Sequence, residues 1–293
     1  MGRSIVGVRK GEIVEFLATD GLKQYGFLYE GNAKRCMIHI HGMTGNFYGS
    51  EMPPIISKHV AKDYSLFSIN TRGHDGLSGF HRVIRGKDTG RAWIGTNLER
   101  FEESVRDVAG AIKAMSELGF KEFVVSGHST GCQKAAYYQY KTRDKRVKAL
   151  VLLAPADDYN VNRMELGKEW QDEVRRAERL IAKRKGNTFL DANKRKFSAQ
   201  RFMSVASTKR VESRLFNYDG QLREFASITI PIYAMFGSEE ENAPKQVAEC
   251  LALLEHRTRS RKFTPALVEG AGHSFYGYED KVGKLVADWL ASL

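Results

Sequence analysis

Along the first third of the chain, apolar and polar positions change rhythm in a way that marks strands and helices in turn. Two alternating segments, Ile13 to Ala18 and Gln24 to Tyr29, flank Asp20-Gly21. Alternation is the period of a half-buried strand, and Asp-Gly is a strong hairpin turn. The following run, Cys36-Met37-Ile38-His39-Ile40, is mostly apolar without alternation and reads as a strand buried on both faces. A helix is expected from about Pro54 to Lys62, then a strand from Ser65 to Asn70, then a long amphipathic helix from about Glu99 to Leu118. The pattern continues with a strand at Phe123-Val124-Val125, a helix from Cys132 to Lys141 and a buried strand from Ala149 to Leu153. It closes with a strand from Ile232 to Phe236, a helix near Lys245 to Leu254, a strand at Ala266 to Val268 and a last helix through Trp289. Strands alternating with helices predict an α/β fold, a mostly parallel sheet with helices on both faces.

Residues from about Asp157 to Ser227 break this rhythm. The segment is too long for one crossover and reads as several charged helices. It is expected to be an inserted helical cap over the C-terminal edge of the sheet, with residues 1–156 and 228–293 forming the core.

The chemistry points to one turn. Gly127-His128-Ser129-Thr130-Gly131 stands directly behind the strand at Phe123 to Val125 and in front of a helix. A strand that ends in G-x-S-x-G and turns at once into a helix has the form of a nucleophile elbow. The turn is so tight that flanking side chains would clash, hence glycine on both sides, and it lifts the Ser129 hydroxyl to the sheet edge. A serine hydroxyl needs a base within hydrogen-bond reach. In this arrangement the chain order is nucleophile, acid, histidine. Gly270-Ala271-Gly272-His273-Ser274 follows the last strand, which makes His273 the expected base.

The acid should follow the preceding strand, where the chain reads Gly237-Ser238-Glu239-Glu240-Glu241-Asn242-Ala243-Pro244. Spacing from Gly237 and from Pro244 favours Glu240. Glu239, Glu241, and Asp157 or Asp158 after the earlier strand are the alternatives. The oxyanion hole needs two backbone N–H groups, expected from Thr130 and from Met43 in His41-Gly42-Met43-Thr44-Gly45. His39 and His41 share a strand face as a metal pair would. No third ligand is evident nearby, so no metal and no cofactor is expected. Trp170, Phe189, Phe197, Phe202 and Phe216 are the cap residues that either close the pocket or hold the cap to the core.

Composition narrows the class. A chain of 293 residues with 42% hydrophobic content can bury one large core. Cys36, Cys132 and Cys250 are odd in number and form no C-x-x-C pair, which suits reduced, buried thiols in a cytoplasmic protein. No stretch is apolar enough to span a bilayer, and Gly2 is not followed by Ser or Thr at position 6, so neither membrane insertion nor myristoylation is expected. The net charge of +11 comes partly from the cap, where basic residues interleave with acids at helical spacing, the pattern of a solvated face. No nucleic-acid-binding motif accompanies it, so a nucleic-acid partner is not expected. The sequence assigns no oligomeric state.

Strand, His41-Gly42, Arg72-Gly73-His74, elbow, acid turn and Gly272-His273 together resemble an α/β-hydrolase over nearly the whole chain. Gly127 to Gln133, with Tyr137-Tyr138 and with Ala154-Pro155-Ala156-Asp157-Asp158, is similar to the hydrolase group that includes fungal siderophore esterases. The chain departs from that group in holding Glu240 where the group usually has Asp. The resemblance implies an α/β-hydrolase fold and acyl transfer from a small-molecule ester through an acyl-enzyme on Ser129. A thioesterase, a peptidase and a non-catalytic receptor on the same fold are the alternative readings.

Overall fold

The computed structural model describes residues 8–191 and 196–293. Gly2 and position 6, on which the myristoylation reading rests, lie outside them. Among the described residues ten strands are formed: β1 (Glu12–Leu17), β2 (Lys23–Tyr29), β3 (Arg35–Ile40), β4 (Ser65–Ile69), β5 (Ser78–Ile84), β6 (Lys87–Ile94), β7 (Glu122–His128), β8 (Val147–Leu153), β9 (Ile232–Gly237) and β10 (Phe263–Val268). Eight of them make one sheet in the order β1-β2-β4-β3-β7-β8-β9-β10. The β1–β2 hairpin joins antiparallel at one edge, and every pairing from β4 to β10 is parallel. Consecutive residues of β3, β4 and β8 are buried although they point to opposite faces, so the sheet is covered on both sides.

The helices between the strands are α1 (Met52–Val60), α2 (Ser104–Glu117), α3 (Thr130–Thr142), α9 (Val247–Arg257) and α10 (Glu279–Ala291). Helix α1 packs on α10 and α2 on α3. This is the mostly parallel, doubly covered sheet expected from the alternation of strands and helices, and it agrees with the α/β-hydrolase fold that the resemblance implies. No helix among the described residues is long and apolar enough to cross a membrane.

Between β8 and β9 lie α4 (Asp158–Leu166), α5 (Trp170–Ala182), α6 (Ala199–Ala206), α7 (Glu212–Leu215) and α8 (Arg223–Ala226). Two packing regimes divide them. Trp170, Ala177, Leu190, Phe197, Phe202 and Val205 form an apolar cluster of their own. Val211, Leu215, Phe216, Tyr218, Leu222, Phe225 and Ile228 belong instead to the main core under the sheet. The two regimes are joined by an ion pair with no exposure on either side, Arg201 to Glu212.

One element falls outside the sequence expectation. Strands β5 and β6 form a separate two-stranded hairpin between β4 and α2. Its turn is Arg85-Gly86, both at positive φ, which suits a tight hairpin but lacks the Asn-Gly or Asp-Gly signature. Most of its side chains are exposed or half-exposed, so no alternation of apolar residues marks it.

Candidate functional site

The elbow is built by close packing of backbone against backbone. A Cβ on Gly127 would lie 2.2 Å from the Gly131 carbonyl, and one on Gly131 would lie 2.3 Å from the Ile40 carbonyl oxygen. No side chain fits at either place, which is why only glycine serves. Ser129 itself is held at φ 53 and ψ −125, a region that L-residues rarely occupy and that costs on the order of 1–3 kcal/mol. The Ser129 N–H donates to the Leu153 carbonyl at 2.9 Å and the Cys132 N–H to the Ser129 carbonyl at 2.8 Å, so both neighbouring elements fix the turn. Cys36, Cys132 and Cys250 are buried as free thiols.

Ser129, His273 and Glu240 lie in one hydrogen-bonded line. His273 Nε2 is 2.8 Å from Ser129 Oγ, and His273 Nδ1 is 2.7 Å from Glu240 Oε1. The loop that carries His273 is held from three sides. Its backbone N–H donates to Glu241 Oε2 at 2.9 Å. Its carbonyl accepts from His128 Nε2 at 2.8 Å, and Glu240 in turn accepts the Asn242 N–H at 2.9 Å. The alternative acids are engaged elsewhere. Asp157 caps α4 through Asn160 and accepts the Tyr218 N–H. Asp158 accepts from Gln133 Nε2 at 2.8 Å and Thr130 Oγ1 at 3.3 Å. Glu239 makes a backbone contact to Ala271. The sequence assigns no part to His128 and offers Glu241 only as an alternative acid; both instead act on the backbone of His273, which no side-chain pattern announces.

A cavity of about 490 Å³ opens over Ser129. Its walls include Gly42, Met43 and Thr44 on one side and Thr130, Asp158, Val161, Asn242 and Tyr276 on others. Thr130 begins α3, where the first backbone N–H groups have no partner within the helix and favour negative charge. None of Trp170, Phe189, Phe197, Phe202 or Phe216 lines the cavity. Trp170, Phe197 and Phe202 are packed in the second cluster, Phe216 in the main core, and Phe189 is exposed. The two strand histidines are engaged with protein groups: His39 Nδ1 meets Ser126 Oγ at 2.9 Å, and His41 Nδ1 meets the Gly42 carbonyl at 2.7 Å.

Burial keeps several histidines around the site neutral. It takes His39 down to about 3 and, with the charge of His273, His128 down to about 4. Burial and then the Lys134 charge push His41 well below its ordinary range, and burial lowers His74. In the unfolded chain these rings titrate near 6.5, so on acidification the unfolded state takes up protons first. Their stabilising share is complete above that value and is lost as pH falls toward the folded values. His39, His41 and His128 together imply a loss of about 4 kcal/mol per pH unit below roughly pH 6, at about 1.4 kcal/mol per proton. Urea unfolding at pH 7, 6 and 5 should therefore show a steep fall in stability. A flat profile over that range would mean the rings are charged in the folded protein.

The alpha/beta hydrolase fold family matches residues 36–279. No curated protein matches the sequence. Several solved structures share the fold at low identity. Est1E from Butyrivibrio proteoclasticus with bound ferulic acid superposes with a TM-score of 0.67 at 17% identity, over 94% of this chain and 98% of that one. The siderophore hydrolase EstB from Aspergillus fumigatus gives 0.69 at 13% identity, over 98% of each chain. Carboxylesterase CesB from Bacillus subtilis gives 0.56 at 15%, over 97% of this chain and 91% of that one. With its family profile spanning most of the sequence and the sheet order and elbow described above, the chain belongs to the α/β-hydrolase family.

Proposed function

We propose that the protein is a serine hydrolase that cleaves carboxylic esters of small molecules through an acyl-enzyme on Ser129. The observation that carries this reading is the line Ser129 Oγ–His273 Nε2 at 2.8 Å and His273 Nδ1–Glu240 Oε1 at 2.7 Å, opening on a cavity. His273 takes the Ser129 proton as the hydroxyl attacks the ester carbonyl and returns it to the leaving alcohol. Water then repeats the step on the acyl-enzyme. Glu240 keeps the proton on His273 Nδ1 and stabilises the ring when it becomes charged. The N–H groups of Thr130 and Met43 receive the negative oxygen of the tetrahedral intermediate, each such donor contributing about 10²–10³ in rate.

Residues 157–227 act in this reading as the cap over a core formed by 1–156 and 228–293. Two observations support a lid role for its first part. Helix α4 lends Asp158 and Val161 to the cavity, and the cap's apolar cluster packs against Met43. The names borne by similar structures, an esterase, a carboxylesterase and a siderophore hydrolase, favour ester chemistry over amide cleavage.

The test combines a fluorophosphonate probe with p-nitrophenyl esters of increasing acyl length. One probe per chain on Ser129, and turnover of the short esters, is the expected result. A folded protein that takes up no probe would instead be a receptor on a hydrolase fold.

A further inference from the structure

Behind the site, two charges are buried together. Lys134, on the second turn of α3, and Glu99, just before α2, have side chains 2% exposed each, with Lys134 Nζ 2.7 Å from Glu99 Oε1. Burial alone would raise the Glu99 carboxyl, but Lys134, then Arg201 and Arg72, outweigh it and hold it below its usual range. Such a pair is a poor device for stability, since two apolar side chains of similar volume commonly serve as well or better. Its effect here lies in where the ammonium points.

Lys134 Nζ also donates to Thr71 Oγ1 at 2.9 Å. That contact occupies the hydroxyl oxygen as an acceptor and turns its proton to His41 Nε2, 3.2 Å away. The Thr71 backbone N–H meets the same nitrogen at 3.2 Å. With Nε2 accepting, the His41 proton sits on Nδ1 and is donated to the Gly42 carbonyl at 2.7 Å. The Gly45 N–H gives that carbonyl a second bond at 3.0 Å. The Gly42–Met43 peptide is trans, so its N–H points opposite to its carbonyl. A Cβ on Gly42 would lie 3.1 Å from Ser129 Cβ, which puts this peptide against the nucleophile.

We propose that Lys134 is a positioning residue: through Thr71 and His41 it holds the Gly42–Met43 peptide in the orientation that presents the Met43 N–H to the oxyanion. This rests on the acyl-transfer reading above. It adds a residue that lies outside the cavity and touches neither substrate nor the reacting atoms. The ion pair with Glu99 is what keeps the ammonium in place between the elbow helix and Thr71, just after β4.

The experiment separates positioning from folding with two variants. Lys134→Met keeps the aliphatic stem but strands the Glu99 charge, and should lower Tm by about 10 °C. Lys134→Met with Glu99→Gln removes both charges and should recover most of that stability. If the proposal holds, the double variant still turns over p-nitrophenyl acetate with kcat about 30-fold below wild type and KM little changed, a loss short of deleting an oxyanion donor outright. Its affinity for an alkylboronic acid, whose tetrahedral adduct on Ser129 needs the oxyanion donors, should fall by a similar factor. Wild-type kcat in the stable double variant would overturn the proposal, as would a loss carried by KM with boronate affinity unchanged. Failure of the acyl-transfer reading itself would look different: the wild-type protein would neither hydrolyse the ester nor take up a fluorophosphonate on Ser129.

Discussion

Ser129→Ala is expected to remove ester hydrolysis by at least about 10⁴-fold while leaving the fold and its thermal stability close to those of the parent. The two halves of this result have separate physical causes. Activity depends on Oγ, the atom 2.8 Å from His273 Nε2, and alanine lacks it. Stability depends on backbone contacts to Leu153 and Cys132, which alanine keeps. One hydrogen bond at a nearly buried position is lost, worth about 1 kcal/mol. The strained backbone at φ 53 and ψ −125 is unchanged by alanine, but glycine relieves it. Ser129→Gly should therefore be equally inactive and more stable than Ser129→Ala by about 1 kcal/mol. The measurement is turnover of p-nitrophenyl acetate beside thermal unfolding of the three proteins. Turnover near the parent level in purified Ser129→Ala would refute the nucleophile assignment.

The parts of this molecule that were readable from sequence are those where backbone geometry dictates residue type. Gly127 and Gly131 were readable because a Cβ at either position would strike main chain. The buried strands were readable because a sheet covered on both faces has no polar alternation to blur the run from Cys36 to Ile40. The neighbourhood of Ser129 and His273 followed from their places after β7 and β10. Choosing among three consecutive glutamates was harder, because a turn can present any of them. The structure gives Glu240 to the imidazole and Glu241 to the His273 backbone N–H. What stayed hidden depends on contacts between distant segments. Lys134 looks like one more charge on a helix until α3 is laid against Thr71 and Glu99. The β5–β6 hairpin buries only Ile94, with Phe80 and Ala92 beside it on Ala18 and Leu22, too few apolar positions to leave a periodic mark. Phe216 reads like the other cap aromatics, yet it packs in the main core while Trp170 and Phe202 build a separate cluster.

Among the three glutamates, the effects of amidation should differ by orders of magnitude. Glu240→Gln is expected to lower kcat by about 10³–10⁴-fold, because the amide can neither hold the proton on His273 Nδ1 reliably nor balance the charge of the protonated ring. The side chain is almost fully buried, so no water can take over the second duty. Glu241→Gln keeps an oxygen that can still accept the His273 N–H, 2.9 Å away in the parent. Its cost should be about tenfold or less, through looser placement of the ring. Glu239 meets the site only by a backbone contact to Ala271, and Glu239→Gln should leave kcat within about twofold. Ester turnover of the three purified variants, with fluorophosphonate labelling rates as a second readout of Ser129 nucleophilicity, decides the matter. Equal, small losses at all three positions would move the acid to Asp157 or Asp158. That outcome would require the imidazole to abandon its 2.7 Å contact with Glu240 and turn toward carboxylates now occupied by Asn160, Tyr218, Gln133 and Thr130.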